Sequence, residues 1–220
     1  MAKNRAMDVL HILRKNFSLP QWVHSARNPF QTLIITVISQ NTANKNTARA
    51  FENLSRRFPI TPEALANADV KEIEEAIKVA GLYRNKSKVI KELSRIIREQ
   101  FNGSLNFIYS MPFDEARKTL LRIFGVGPKT ADVVLLFCAE KPTVPIDTHV
   151  NRVSKRLGFV PLNANYEKIR ETLQSLFPPE EYLPVHLLLI SLGRKYCKAR
   201  KPLCEPCPVN VLCPSKRLED

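Results

Sequence analysis

No apolar run in this chain approaches the roughly 18–20 residues needed to span a bilayer, and neither a lipidation motif nor a signal-like apolar leader is visible. That excludes an integral helical membrane protein. Apolar and polar residues nowhere alternate with period two for long, so a half-buried β-sheet is excluded as well. Low-complexity segments and solenoid repeats are missing, and the one candidate duplication is a weak pair of helix–glycine turns at Gly81 and Gly125–Gly127. Acidic residues are scarce, 21 Asp and Glu against 34 Lys and Arg. Cysteine is nearly lacking ahead of Cys197, with Cys138 standing alone.

What remains is a basic globular chain. Its 220 residues, 44% hydrophobic, suffice for one large or two small domains with a real core. A net charge of +13 and a pI near 9.7 favour polyanionic partners. With no spanning segment, nucleic acid is the leading partner class. No targeting segment is evident, so the expected location is cytoplasmic and nucleoid-associated.

Four cysteines crowd the C-terminal segment: Cys197, Cys204, Cys207 and Cys213, spaced C-x6-C-x2-C-x5-C. Four thiolates at short, irregular intervals can converge without a large fold around them, as a metal centre requires. All-cysteine zinc sites usually show two C-x2-4-C pairs separated by a longer gap. Here one pair, Cys204 and Cys207, is flanked by single cysteines. The spacing therefore favours one [4Fe–4S] cluster, with zinc the less favoured occupant and disulfides a distant third. Between Arg194 and Arg217 the same loop carries seven Lys or Arg, including Lys198 and Arg200, against the single acid Glu205. A metal-stapled loop would present these cations outward.

The rest reads as helices. Asn28 is a good N-cap and Pro29 a good first-turn residue for the stripe Phe30, Leu33, Ile34, Val37, Ile38. Thr61-Pro62 opens a short helix. Asp69-Val-Lys-Glu72 resembles a capping box ahead of Ile73, Ala76, Ile77 and Ala80, and Gly81 stops that helix. Val89, Ile90, Leu93, Ile96 and Ile97 mark the next. Its other face carries Arg84, Lys86, Lys88, Lys91, Arg95 and Arg98, with Glu92 the acid among them. Further helices are expected near 113–124, 128–139, 148–157, 166–177 and 181–192. The fold class is all-α.

The sharpest motif after the cysteines is Gly125-Val126-Gly127-Pro128-Lys129-Thr130-Ala131. One helix ends at Gly125, a short turn follows, and Pro128 suits the next helix's first turn. Glycines let a backbone approach a ligand closely, and the amides of such a turn and helix start favour an anion such as a DNA phosphate. The bland alternative is a helix–turn–helix link with glycines for tight packing. Lys129 sits in the first turn, where the positive end of the helix dipole disfavours its charge and makes a neutral amine nucleophile more available; the alternative is a lysine that only contacts phosphate. Asp147, in Pro145-Ile146-Asp147-Thr148-His149, precedes a helix and could be a plain N-cap. Cys138, on an apolar face with Ala131, Val134 and Leu135, reads as core, and His149 and His186 lack metal-like spacing.

Together these pieces resemble the endonuclease III family of base-excision DNA glycosylases, in the helix-hairpin-helix superfamily. The resemblance rests on Gly125–Ala131, Ile146-Asp147-Thr148-His149-Val150, Gly81-Leu82-Tyr83 and the four-cysteine loop, in family order over roughly 29–214. It implies two helical domains with the DNA site in the cleft between them. One is a six-helix barrel with the hairpin, residues 29–142. The other joins residues 1–28 to 143–220 and holds the [4Fe–4S] loop, 197–213.

By motif position, the resemblance makes Lys129 the catalytic lysine and Asp147 the catalytic aspartate. Leu82 becomes a wedge that enters the base stack, and Gln40 and Asn41 lie where a residue fills the vacated hole. Gly125, Val126, Gly127 and Thr130 grip the backbone, with Arg84, Lys86, Lys198 and Arg200 as further DNA contacts. The implied partner is double-stranded DNA containing a damaged base or an abasic site, bound by a monomer with no membrane partner. The implied chemistry is amine attack at C1′ with loss of the base, then β-elimination. Pro128 departs from a basic residue common in the family, and Ser39-Gln-Asn-Thr-Ala-Asn44 departs from its commonest loop, leaving oxidised pyrimidines as the default substrate. The alternatives are a monofunctional mismatch glycosylase removing T, U or A, and a non-catalytic metal-stapled DNA-binding module.

Overall fold

A computed structural model describes residues 2–20 and 27–218, with side chains over 3–20 and 27–216. Among the described residues the regular structure is helical, with no strand. The helices are α1 (Ala2–Asn16), α2 (Pro29–Ser39), α3 (Asn44–Arg57), α4 (Pro62–Asn67), α5 (Val70–Ile77), α6 (Tyr83–Gln100), α7 (Phe107–Ser110), α8 (Phe113–Leu121), α9 (Pro128–Ala139), α10 (Thr148–Arg156), α11 (Tyr166–Leu176) and α12 (Tyr182–Lys195). None is long and apolar enough to cross a membrane.

The chain divides into two compact units, one formed by 26–140 and the other by 1–25 with 141–220. In the first, α2 is the central element. Asn28 accepts from the Gln31 amide at 3.0 Å and Pro29 occupies the first turn, so the helix start is fixed by chemistry at two adjacent residues. Its stripe from Phe30 to Ile38 is at most 5% exposed and packs on α3, α6 and α9. Thr32 and Thr36 are buried with it, and the Thr36 hydroxyl is satisfied by the Thr32 carbonyl at 2.6 Å. Asp69 caps α5 through the Lys71 amide. The capping box expected there is not the arrangement found: Glu72 reaches across to Arg57 of α3 at 2.7 Å. The helix expected over 113–124 ends at Leu121, leaving Phe124 in the turn and 54% exposed.

In the second unit, α1 lays Ala6, Val9, Leu10 and Leu13 against α11 and α12. Contact between α10 and α12 is close because Gly193 removes a side chain at the crossing; a Cβ there would stand 2.9 Å from that of His149. His186 is buried with Nδ1 2.8 Å from the Pro145 carbonyl, a contact that ties α12 to the segment before α10.

Candidate nucleic-acid interface and metal centre

The hairpin is α8, the Gly125–Gly127 turn and α9. Gly125 has φ +81°, the left-handed region that favours glycine, and a Cβ there would lie 2.6 Å from Val89 Cγ1. Gly127 differs: its backbone is extended and a Cβ would meet nothing within 4 Å. The space beside Gly127 is open, as close approach of a ligand backbone requires. No side chain caps α9, and the first amides of an α-helix lack intrahelical acceptors, the arrangement that an anion site at a helix start requires. Lys129, half-buried, is the second residue of α9.

Two hairpin residues take a different part from the one expected. Val126 is 6% exposed and its amide donates to Ile123 at 3.0 Å, so it anchors the turn in the core and offers neither side chain nor N–H to a ligand. The Thr130 side chain is also buried, leaving only its backbone for any contact. Sequence reasoning missed the pair that holds the hairpin shut. Arg117 of α8 donates to Asp132 of α9 at 2.7 and 3.3 Å, and the aspartate is fully buried.

On the same unit, two loops carry the residues expected to enter a duplex. Leu82 is 60% exposed at the turn before α6, with φ +49°, following Gly81 at φ +65°. Gln40 and Asn41 are exposed between α2 and α3, and Asn41 also has a positive φ of +53°. Arg84 is exposed, its guanidinium 5.8 Å from the Tyr83 ring centroid. Lys86 departs from expectation. It is 4% exposed, and its ammonium donates to Ile38 O, Thr42 Oγ1 and Ala80 O. A cation enclosed in this way is not a phosphate contact, and burial lowers its pKa. The basic face of α6 is correspondingly interrupted: Arg95 is paired with Glu92 and Glu99, and Lys91 donates to Ala68 O.

Asp147 caps α10, accepting from the Val150 amide at 2.7 Å, and is half-buried. The cap fixes the carboxylate by one oxygen. Nearby, burial holds the His149 imidazole below its ordinary pKa, opposed by the Asp147 charge and assisted by Arg152 and Arg194.

Cys197, Cys204, Cys207 and Cys213 line one cavity, walled by Leu192 and Val209 among others. Among the described residues no three His, Cys, Asp or Glu crowd together as a single-ion site would have them. Burial pushes the Cys207 thiol up, a backbone bond at Val209 works the other way, and Cys213 and Cys197 push it up further. The fit to a metal centre rests on the four cysteines lining one cavity, the donor set that a thiolate-bound group requires. Three arginines outside the loop hold its backbone. Arg152 donates to Cys197 O at 2.8 Å, Arg156 to Lys198 O at 2.7 Å, and Arg5 to Leu212 O at 3.2 Å. The i, i+4 spacing of Arg152 and Arg156 on α10 was a usable signal that sequence reasoning passed over. Lys198 and Arg200 are exposed, as expected; the Arg217 side chain lies outside the described residues.

A family model described as "HhH-GPD superfamily base excision DNA repair protein" matches residues 34–179. The chain is 40% identical to endonuclease III of Sulfolobus acidocaldarius over 85% of its own length and 82% of the relative's. It is 34% identical to endonuclease III of Escherichia coli strain K12 over the whole of both chains. Its fold superposes on a solved structure of a trapped endonuclease III–DNA covalent intermediate, an estranged-adenine complex, with TM-score 0.85, 33% identity and 98% of each chain covered.

Proposed function

We propose, for a chain that belongs to the endonuclease III family of HhH-GPD base excision DNA repair proteins, that Lys129 and Asp147 carry its two-part reaction. The protein is a bifunctional DNA glycosylase and abasic-site lyase acting on double-stranded DNA. Its substrate is a duplex with one damaged base, an oxidised pyrimidine by default.

A base cannot be attacked inside the stack, so it is first extruded, at a cost of about a few kcal/mol. Leu82 enters as an apolar wedge, and Gln40 and Asn41 fill the hole with hydrogen-bonding groups. Gly125, Gly127 and the start of α9 grip the backbone near the lesion without reading sequence; Arg84, Lys198 and Arg200 add cationic contacts. The neutral Lys129 amine forms a bond to C1′ while the glycosidic C–N bond breaks and the base leaves with the electron pair. Asp147 stabilises the cationic sugar as that bond breaks. The nitrogen then loses a proton and the C1′–O4′ bond opens, with a proton taken up at O4′, and the resulting imine on Lys129 acidifies C2′. Loss of a C2′ proton, with Asp147 as a candidate acceptor, expels the 3′ phosphate and cuts the strand. The observation that carries the assignment is Lys129 in the first turn of an uncapped helix beside the open Gly127.

Endonuclease III proteins generally carry a [4Fe–4S] cluster, and Cys197, Cys204, Cys207 and Cys213 would hold one here. When bound, such a group supplies a structural fastening and one-electron chemistry. Four sulfurs around a cavity suit a cluster or a zinc ion alike, and the C-x6-C-x2-C-x5-C spacing favours the cluster. The residues of the chain itself fix the loop: arginines 5, 152 and 156 occupy its carbonyls and leave Lys198 and Arg200 facing out.

The test is borohydride trapping on a duplex with one abasic site. The unmodified protein is expected to form a covalent adduct and Lys129→Gln none, with affinity kept within about tenfold. An adduct with Lys129→Gln would assign the nucleophile elsewhere. No adduct from the unmodified protein, despite binding, would make this a monofunctional glycosylase.

A further inference from the structure

Lys86 is a cation without an obvious task in base excision, yet its surroundings are built around it. An ammonium has three N–H donors, and the three acceptors lie at 2.9, 2.7 and 3.0 Å: Ile38 O, Thr42 Oγ1 and Ala80 O. Ile38 is in the last turn of α2, just before the loop with Gln40 and Asn41. Ala80 ends the short 3-10 turn that leads into Gly81 and Leu82. Both carbonyls end a helical segment, where intrahelical donors run out, and Ile38 O also lies at the negative end of the α2 dipole. Thr42 closes the arrangement, its hydroxyl 2.6 Å from Ala80 O and 3.1 Å from Gln40 O. Beyond this knot the chain adopts strained backbone in both loops, with Asn41 and Leu82 at positive φ. Non-glycine residues persist in that region only where the surroundings over-determine them.

We propose that Lys86 is a positioning residue that locks the Gln40–Asn41 loop and the Gly81–Leu82 turn into one rigid pair, so that plug and wedge enter the duplex in a single motion. This rests on the reading of Leu82, Gln40 and Asn41 as the groups that enter DNA. The hydroxyl of Thr42 is the second member of the lock. Without the lock each loop samples its own positions, and the wedge reaches the stack without its partner.

Insertion is read by stopped-flow fluorescence on a duplex with one tetrahydrofuran abasic analogue opposite 2-aminopurine, which brightens when displaced from the stack. Leu82→Ala calibrates the signal and is expected to remove the rise; if it leaves the rise intact, the loop reading itself fails. Given that control, Lys86→Met is expected to slow the rise roughly tenfold, while affinity for undamaged duplex stays within about twofold. Thr42→Val keeps the lysine, removes the hydroxyl bridge and is expected to slow the rise by about threefold. It decides the matter alone if Lys86→Met does not fold. An unchanged rise in the variants that fold, beside a lost rise in Leu82→Ala, overturns the lock and leaves the loop reading standing. A loss of affinity for undamaged duplex as large as the loss in rate would make Lys86 a direct phosphate contact and overturn it too.

Discussion

Glycine stands at both ends of the hairpin turn for different reasons. Gly125 is required by the protein itself, through its left-handed φ and the Val89 methyl 2.6 Å from where a Cβ would go. Gly127 has neither constraint, and nothing within 4 Å would obstruct a methyl. Gly127→Ala should therefore leave the thermal midpoint nearly unchanged but weaken binding to an abasic duplex by roughly tenfold, since in the proposed grip the methyl would meet phosphate rather than protein. Gly125→Ala should instead destabilise by about 1–3 kcal/mol in urea titration. Equal effects of the two on binding and stability would remove the distinction. The sequence announced both glycines and left their division of labour unreadable, because the neighbour that separates them, Val89, is 36 residues away on α6. Lys86 was illegible for a related reason. A lysine on a predicted amphipathic helix is ordinarily a solvated charge; only the α2 and Thr42 acceptors, 48 and 44 residues off, turn it inward.

Elements raise the question of what keeps two helices at one angle. Across the hairpin the answer is Arg117–Asp132, with the arginine side chain 13% exposed and the aspartate at 0%. Removing one member of a buried pair leaves a charge without compensation. Asp132→Ala should cost about 3–5 kcal/mol of stability and lower the midpoint in a denaturant series. A double replacement of both residues by apolar ones should cost less than Asp132→Ala alone; if it costs more, the pair is not acting as a buried ion pair. The sequence made α8 and α9 plain but not their register, and the pair follows from register. It also passed over α3. Only Thr47, Ala50 and Leu54 of that helix are buried, and a stripe of one threonine, one alanine and one leucine is too faint to stand out from its charged neighbours. The four cysteines were legible as a group from spacing alone. The arginines that hold their loop were not, since each donates to a backbone carbonyl, and carbonyls leave no mark in sequence.

The whole molecule carries +13 in formal charge, and this bears on its hold on DNA more than on its fold. Raising salt from about 50 to about 200 mM should lower affinity for undamaged duplex by 10²-fold or more, with a linear log–log slope from counterion release. A flat response would contradict a grip made by Arg84, Lys198 and Arg200. Helical class and chemistry were readable at this scale because they reside in periodicity and local motifs. The interruption of the α6 basic face was legible only in part: Glu92 and Glu99 stand at helical spacing from Arg95, whereas Lys91 is taken up by the Ala68 carbonyl, which folds into place from 23 residues away. The unit bearing the cysteines is interrupted: its helix α1 is made before residues 26–140, yet packs on α11 and α12, which emerge from the ribosome only after them. The middle unit, continuous in the chain, can fold while translation is still under way, at about 5–20 residues per second. Until α12 appears, Ala6, Val9, Leu10 and Leu13 have no partner surface, and the nascent chain has a period in which chaperone capture competes with native docking. Loading of the cluster proposed at residues 197–213 would then fall at a late step, on a chain whose hairpin is already formed.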